Sequence, residues 1–190
     1  MDVLATTPGI AEAPCVVGDE LWFTDLLHGV FVLEASGQVV RLAERRGVGG
    51  LVAHADGGVV ASGRSLVHLR RDATRTELRA TPEGSTGFND FIAAPGGEVV
   101  VGALTYRPLT GEAPTPGSLL RLGDAGMQQL ATGPAWPNGI GTYDGDEFYV
   151  ADFSTGDVLR LLPDGRLLLL ATLDEGMLTG WPSTPLGGSG

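Results

Sequence analysis

Short runs in which apolar and polar residues alternate recur along the chain, among them "ELWFTD", "GVFVL", "SLVHL", "EVVVGAL", "SLLRL", "EFYVAD" and "DVLRL". Period-two alternation over so few residues, bounded by Gly and Asp, predicts strands and not helices. Four segments align with one another, starting at Glu12, Gly50, Asn89 and Asn138, at spacings of 38, 39 and 49 residues. Each holds a short apolar strand, a tight turn ("GDE", "DGG", "PGGE", "DGDE"), a second strand ending in small or acidic residues, and two more strands. Gly and Asp tolerate the positive φ of such turns. Four strands per repeat at this period predict the blades of an all-β propeller. The excess length of the third repeat falls in "TYRPLTGEAPTP", a Pro-rich loop that a propeller can carry on one rim.

Composition narrows the class. Of 190 residues, 43% are apolar and 18% charged, enough for a buried core, and 30 glycines with 12 prolines suit many tight turns. The net charge of −11 opposes binding to phosphate backbones or anionic lipid, so neither nucleic acid nor membrane is expected as a partner. "MDVLATTPGIAEAP" has no basic region followed by an apolar core, and the expected location is cytoplasmic. Cys15 is the single cysteine, which excludes an intrachain disulfide and a thiolate metal cluster; it reads as a small strand residue. His28, His54 and His68 lack metal-ligand spacing and read as strand or turn residues.

In a propeller the innermost strand of every blade lines the central channel. Glu12, Gly50, Asn89 and Asn138 open equivalent strands and are therefore expected around one mouth. A carboxylate and two carboxamides there make an oxygen-rich setting suited to Ca²⁺, Mg²⁺ or Mn²⁺, and less typically Zn²⁺. The competing reading is that both asparagines only form turns. Asp25 and Asp152 close the second strands of their repeats and are expected to hydrogen-bond the next turn; Trp22 and Tyr149, at matching places, are expected to pack between blades. The acidic "DGDE" at 144–147 reads as a solvated hairpin. Asp90 follows Asn89 and by strand alternation is expected on the other face, away from the site.

Taken together, "EAP", "FND" with "GG" beyond it, "PNGI" and "YVAD" resemble the senescence marker protein, gluconolactonase and luciferin-regenerating enzyme family, the regucalcin-like proteins, over Gly9 to about Leu173. The resemblance implies a six-bladed β-propeller, of which about four four-stranded blades are present here, with one divalent metal in the channel and hydrolysis of sugar lactones or other small esters. It implies Glu12 and Asn138 as metal ligands, with Ala13 where the family has glycine, and Asn89 as a substrate- or water-binding residue. Gly87 stands where many members carry a substrate-binding arginine, which departs from sugar-acid lactone specificity.

A second departure lies at the end of the chain. The family's next blade opens with a metal-binding, catalytic aspartate in a "DG" motif, whereas this chain reads "LDEGMLTGWPSTPLGGSG". The expectation is an incomplete propeller domain over 1–175, a non-native-looking irregular tail over 176–190, and no identifiable catalytic aspartate. Permitted codons for 178–190, read two bases later, spell "DGLAVDAAGGVW", which is the motif, so the expected cause is a frameshift or truncation. The resulting reading is a lactone or small-ester hydrolase dependent on a divalent metal, Ca²⁺ first and Zn²⁺, Mg²⁺ or Mn²⁺ otherwise, incomplete in this chain and prone to self-association through open blade edges. The alternative is a non-catalytic propeller that binds a ligand or protein partner on its rim. Sequencing the gene past codon 175 is expected to find Asp-Gly in the shifted frame; a shifted frame without that dipeptide refutes the frameshift.

Overall fold

The computed structural model describes residues 3–143 and 147–173. The chain forms four antiparallel sheets of four strands each, every sheet built in strict chain order. Blade 1 holds β1 (Ala11–Val17), β2 (Glu20–Asp25), β3 (Gly29–Leu33) and β4 (Val39–Ala43). Blade 2 holds β5 (Leu51–Ala53), β6 (Val59–Ala61), β7 (Ser65–Leu69) and β8 (Arg75–Ala80). Blade 3 holds β9 (Gly87–Ala93), β10 (Val99–Leu104), β11 (Ser118–Gly123) and β12 (Gly126–Thr132). Blade 4 holds β13 (Pro137–Thr142), β14 (Phe148–Asp152), β15 (Asp157–Leu161) and β16 (Leu167–Thr172). The four blades are arranged as a β-propeller, as the repeat predicts. The irregular tail expected over 176–190, and Asp144 to Asp146 of the expected hairpin, lie outside the described residues.

Because side chains alternate across a strand, one strand can serve two interfaces. Val59 packs with Trp22, Val30 and Val32 of blade 1, whereas its neighbour Val60 packs with Phe88 and Phe91 of blade 3. Val101 continues that second layer, and Val100 turns the other way to join Phe148 and Val150 of blade 4. Full burial of side chains of this size contributes roughly 1.5–3 kcal/mol each, so three apolar layers hold the blades in line. Trp22 is 1% exposed between blades 1 and 2, as expected. Tyr149 holds the matching place in blade 4: Phe148 and Val150 face blade 3, so Tyr149 between them points to the opposite face, where its hydroxyl donates to Glu147. Across the first interface Arg71 also bridges Glu20 and Glu34.

The ends of the second strands anchor the chain that leads into each inner strand. Asp25, fully buried, accepts hydrogen bonds from the N–H groups of Gly9 (2.8 Å), Leu27 (3.0 Å) and His28 (3.1 Å) and pairs with His28 Nδ1 at 2.9 Å. Asp152 accepts from the N–H groups of Ala135, Trp136 and Ser154. In blade 2 the same duty falls to the Ser62 hydroxyl, which accepts from Gly49 and Gly50. The long loop of blade 3 leaves from the end where Leu104 pairs with Gly87, and the register from Ala103 to Ser118 is undisturbed by it. It therefore rises on the rim where β9 begins.

Burial alone would raise the Asp25 pKa, but His28 and the Leu27 and Gly9 N–H groups outweigh it and bring it from 3.8 to about 2. A depressed folded-state pKa gives stability that is complete above the ordinary carboxylate range and lost as pH falls toward about 2, on the order of 2 kcal/mol. Urea midpoints measured from about pH 6 to about pH 2 are expected to fall more steeply for the wild type than for Asp25→Asn; parallel curves would refute the anchor's role.

Candidate functional site

Three inner strands begin with the same irregularity. In β1, Glu12 pairs with Thr24 and Cys15 with Trp22, so Ala13 and Pro14 stand opposite the single residue Phe23. In β9, Phe88 pairs with Ala103 and Phe91 with Val101, leaving Asn89 and Asp90 opposite Gly102. In β13, Pro137 pairs with Asp152 and Ile140 with Val150, leaving Asn138 and Gly139 opposite Ala151. Two residues opposite one make a β-bulge, which bends the strand and re-aims its side chains. The bulges require left-handed backbone at Ala13 (φ 50) and Gly139 (φ 81).

Close approach of bare backbone brings these bulges together. A Cβ on Gly102 would lie 2.4 Å from Pro137 Cγ, so the ring of Pro137 rests directly on β10. A Cβ on Gly49 would lie 2.4 Å from Asn89 Oδ1, and one on Gly50 would meet Phe91 at 2.7 Å. Blade 2 thus offers the channel no side chain at its first inner residues, which lets β9 crowd in.

The result is a cavity of about 490 Å³ lined by Glu12, Ala13, Pro14, Gly49, Leu51, Asp90, Asn138 and Gly139. Glu12 and Asn138, predicted to open equivalent strands, share it. Asn89 is 7% exposed and stands behind the wall; its Nδ2 donates to Pro137 O at 2.9 Å and, more weakly, to Asn138 Oδ1 at 3.4 Å. Asp90 departs from expectation. The bulge cancels the alternation that would have turned it away, and its carboxylate lines the same cavity as Glu12. Its Oδ2 accepts from the N–H groups of Gly139 (2.9 Å) and Ile140 (3.0 Å), and its Oδ1 from Phe91 N–H (2.8 Å). A larger cavity of about 630 Å³ lies on the outer groove of blades 3 and 4, where Asp152 is already bound by backbone N–H groups. The smaller one gathers the candidate residues Glu12 and Asn138.

Burial, and after it the negative charge of Asp90, raise the Glu12 carboxyl above its ordinary range. Burial raises Asp90 as well, against the pull of the Ile140, Phe91 and Gly139 N–H groups. Two partly buried carboxylates, one raised further by the charge of the other, form with the carboxamide beside them a donor set that a cation would relieve. Among the described residues no hydrogen-bond donor meets the Glu12 carboxylate, and no group of three His, Cys, Asp or Glu side chains gathers as a metal cage. The oxygen donors therefore fit a hard divalent ion held partly by backbone, water or residues beyond those described. The histidines stand apart from this set: His54 stacks on His68 at 3.7 Å, and His28 serves Asp25.

A model of the SMP-30/gluconolactonase/LRE-like region matches residues 10–167. The chain belongs to that family. Among solved structures, a calcium-binding regucalcin from Agrobacterium tumefaciens matches with TM-score 0.70 at 21% identity over 88% of this chain and 61% of its own. A gluconolactonase from Xanthomonas campestris matches with TM-score 0.71 at 21% identity over 86% of this chain and 62% of its own. A luciferin-regenerating enzyme matches with TM-score 0.68 at 20% identity over 88% of this chain and 62% of its own. The chain thus spans about three fifths of these proteins. A comparison with curated protein sequences found no match. Among the described residues no helix is long and apolar enough to cross a membrane.

A glycine at position 13, which the family resemblance implies, would suit the backbone there, since a left-handed conformation costs a residue with a Cβ about 1–2 kcal/mol. Ala13→Gly is expected to raise stability by about 1 kcal/mol after the entropy cost of glycine, read as an increase of a few degrees in Tm; an unchanged or lower Tm would refute strain at this bulge.

Proposed function

We propose that this chain carries the metal-binding half of a lactonase site, in a protein that hydrolyses lactones or other small esters. The observation that carries the reading is the Glu12 carboxylate, half-buried and without a hydrogen-bond donor among the described residues, in one cavity with Asn138. Glu12 supplies the charged ligand and Asn138 the neutral one; Ca²⁺ suits this all-oxygen set best, with Mg²⁺, Mn²⁺ and Zn²⁺ as alternatives. A bound divalent cation supplies Lewis-acid polarisation of the ester carbonyl.

The chain's own residues do the rest of the work available here. Asn89 donates its two N–H bonds to the Pro137 carbonyl and, more weakly, to Asn138 Oδ1, so its carboxamide is fixed and can orient a substrate hydroxyl or water only through its oxygen. Ala13, Pro14 and Leu51 give the cavity an apolar wall that limits water around a bound ring. The general base is not among these groups: Asp90 is engaged by three N–H donors, and the aspartate that the family resemblance calls for belongs to a later blade. The net charge of −11 favours a neutral or cation-assisted small substrate over polyanions, and the cytoplasm is the compartment this reading assumes.

Calorimetric titration of the 190-residue chain with Ca²⁺ is expected to show saturable binding that Glu12→Gln weakens about tenfold or more. Hydrolysis of a panel of small lactones is expected of a chain that carries this site together with further blades of the family's propeller. A folded chain that binds none of the four cations would favour a non-catalytic propeller whose ligand sits on the rim.

A further inference from the structure

Asp90 is the charged group in the cavity for which neither the family likeness nor strand alternation provides a part. It sits in blade 3, yet its Oδ2 takes both consecutive N–H groups that the blade 4 bulge turns inward, Gly139 at 2.9 Å and Ile140 at 3.0 Å. Consecutive N–H groups exposed beside a left-handed residue form a small anion-binding concavity, and Gly139 has φ 81. Asn138 immediately precedes these two residues. Its side chain therefore leaves a backbone whose direction is set from the neighbouring blade. The Oδ1 of Asp90 is tied to Phe91 N–H at 2.8 Å, so the carboxylate itself has little freedom to swing. Phe91 is buried in the layer between blades 2 and 3, which connects the arrangement to the core.

We propose that Asp90 is a positioning residue: by clamping the Gly139 and Ile140 N–H groups it fixes the Asn138 carboxamide toward the cavity, and its charge, alongside Glu12, draws a divalent cation to Asn138. The proposal rests on the metal-binding reading above for its second half only. The first half concerns the backbone of β13 and stands without any ion. A carboxylate held by three N–H donors is a weak ligand in its own right, since three of its roughly four lone-pair sites are already taken. It acts across the interface instead, in the way that hydrogen-bonded partners orient metal ligands elsewhere.

Two variants separate clamp from charge. Asp90→Asn keeps the shape and one acceptor oxygen but no charge; Asp90→Ala removes both. Amide hydrogen exchange of Gly139 and Ile140, followed in the full chain without added metal, is expected to accelerate about tenfold or more in Asp90→Ala and much less in Asp90→Asn. Ca²⁺ affinity measured by calorimetry is expected to fall about 10- to 100-fold in both variants, with far-ultraviolet circular dichroism unchanged in Asp90→Asn. Unaltered Gly139 and Ile140 exchange in Asp90→Ala overturns the clamp. Ca²⁺ affinity within about twofold of wild type in folded Asp90→Asn overturns the electrostatic role. A wild type that binds no Ca²⁺ defeats the metal reading and with it that electrostatic role, while the exchange rates still decide the clamp on their own. If Asp90→Ala does not fold, the exchange in Asp90→Asn is compared with that in Asn89→Ala, which also cuts a link from β9 to β13; equal acceleration in the two overturns a special part for Asp90.

Discussion

Everything at the mouth of the channel depends on fitting two residues opposite one at the start of an inner strand while the neighbouring strand lies almost in backbone contact. Pro137 on Gly102 and Asn89 on Gly49 are the two places where this crowding is most severe, and each works because the supporting residue has no side chain. A propeller without the bulges would present every second inner residue to a neighbouring blade and bury it in apolar layers. With them, Glu12, Asp90 and Asn138 escape the alternation and face a common space.

That geometry carries an electrostatic cost which a simple scaffold would avoid. Glu12 and Asp90 are both partly desolvated, and the negative charge of one raises the proton affinity of the other. The two acids are treated differently by the fold. Asp90 is compensated by backbone N–H groups, as Asp25 and Asp152 are at the ends of their strands. Glu12 is left without such compensation among the described residues. Local arrangements that are unfavourable in isolation and supported by surrounding packing concentrate at working sites, and here the contrast between neighbouring carboxylates marks which of them is directed outward.

Much of this was legible in the residues. The alternating runs and the 38- and 39-residue spacings suffice for the four blades, because period and turn chemistry are local properties. The convergence of Glu12 and Asn138 followed from their equivalent positions. Asp90 departs from its expected face because a period of two does not hold through "FNDFIA". The sign of the bulge was nevertheless there: Phe88 and Phe91, three apart and both fully core-sized, can face one layer only if an extra residue intervenes. Pro137 and Ile140 repeat the spacing in "PNGI". The grip of Asp90 on Gly139 and Ile140 was not legible, since it joins residues 49 and 50 positions apart through backbone groups that no side-chain pattern reports. Tyr149 keeps the place of Trp22 in its repeat, on the face of blade 4 turned away from blade 3.

Cys15 lies on β1 three residues from Glu12 and packs on the layer between blades 1 and 2; burial pushes its thiol up, against a smaller pull from the Ala53 backbone of β5. A thiolate so suppressed reacts slowly while the two strands remain together. The chain consequently contains its own reporter on the seam of its first two blades: the thiol is half-covered, so any loosening of β1 from β5 quickens its modification by a disulfide reagent, and with a single sulfhydryl in the sequence each event is counted without ambiguity.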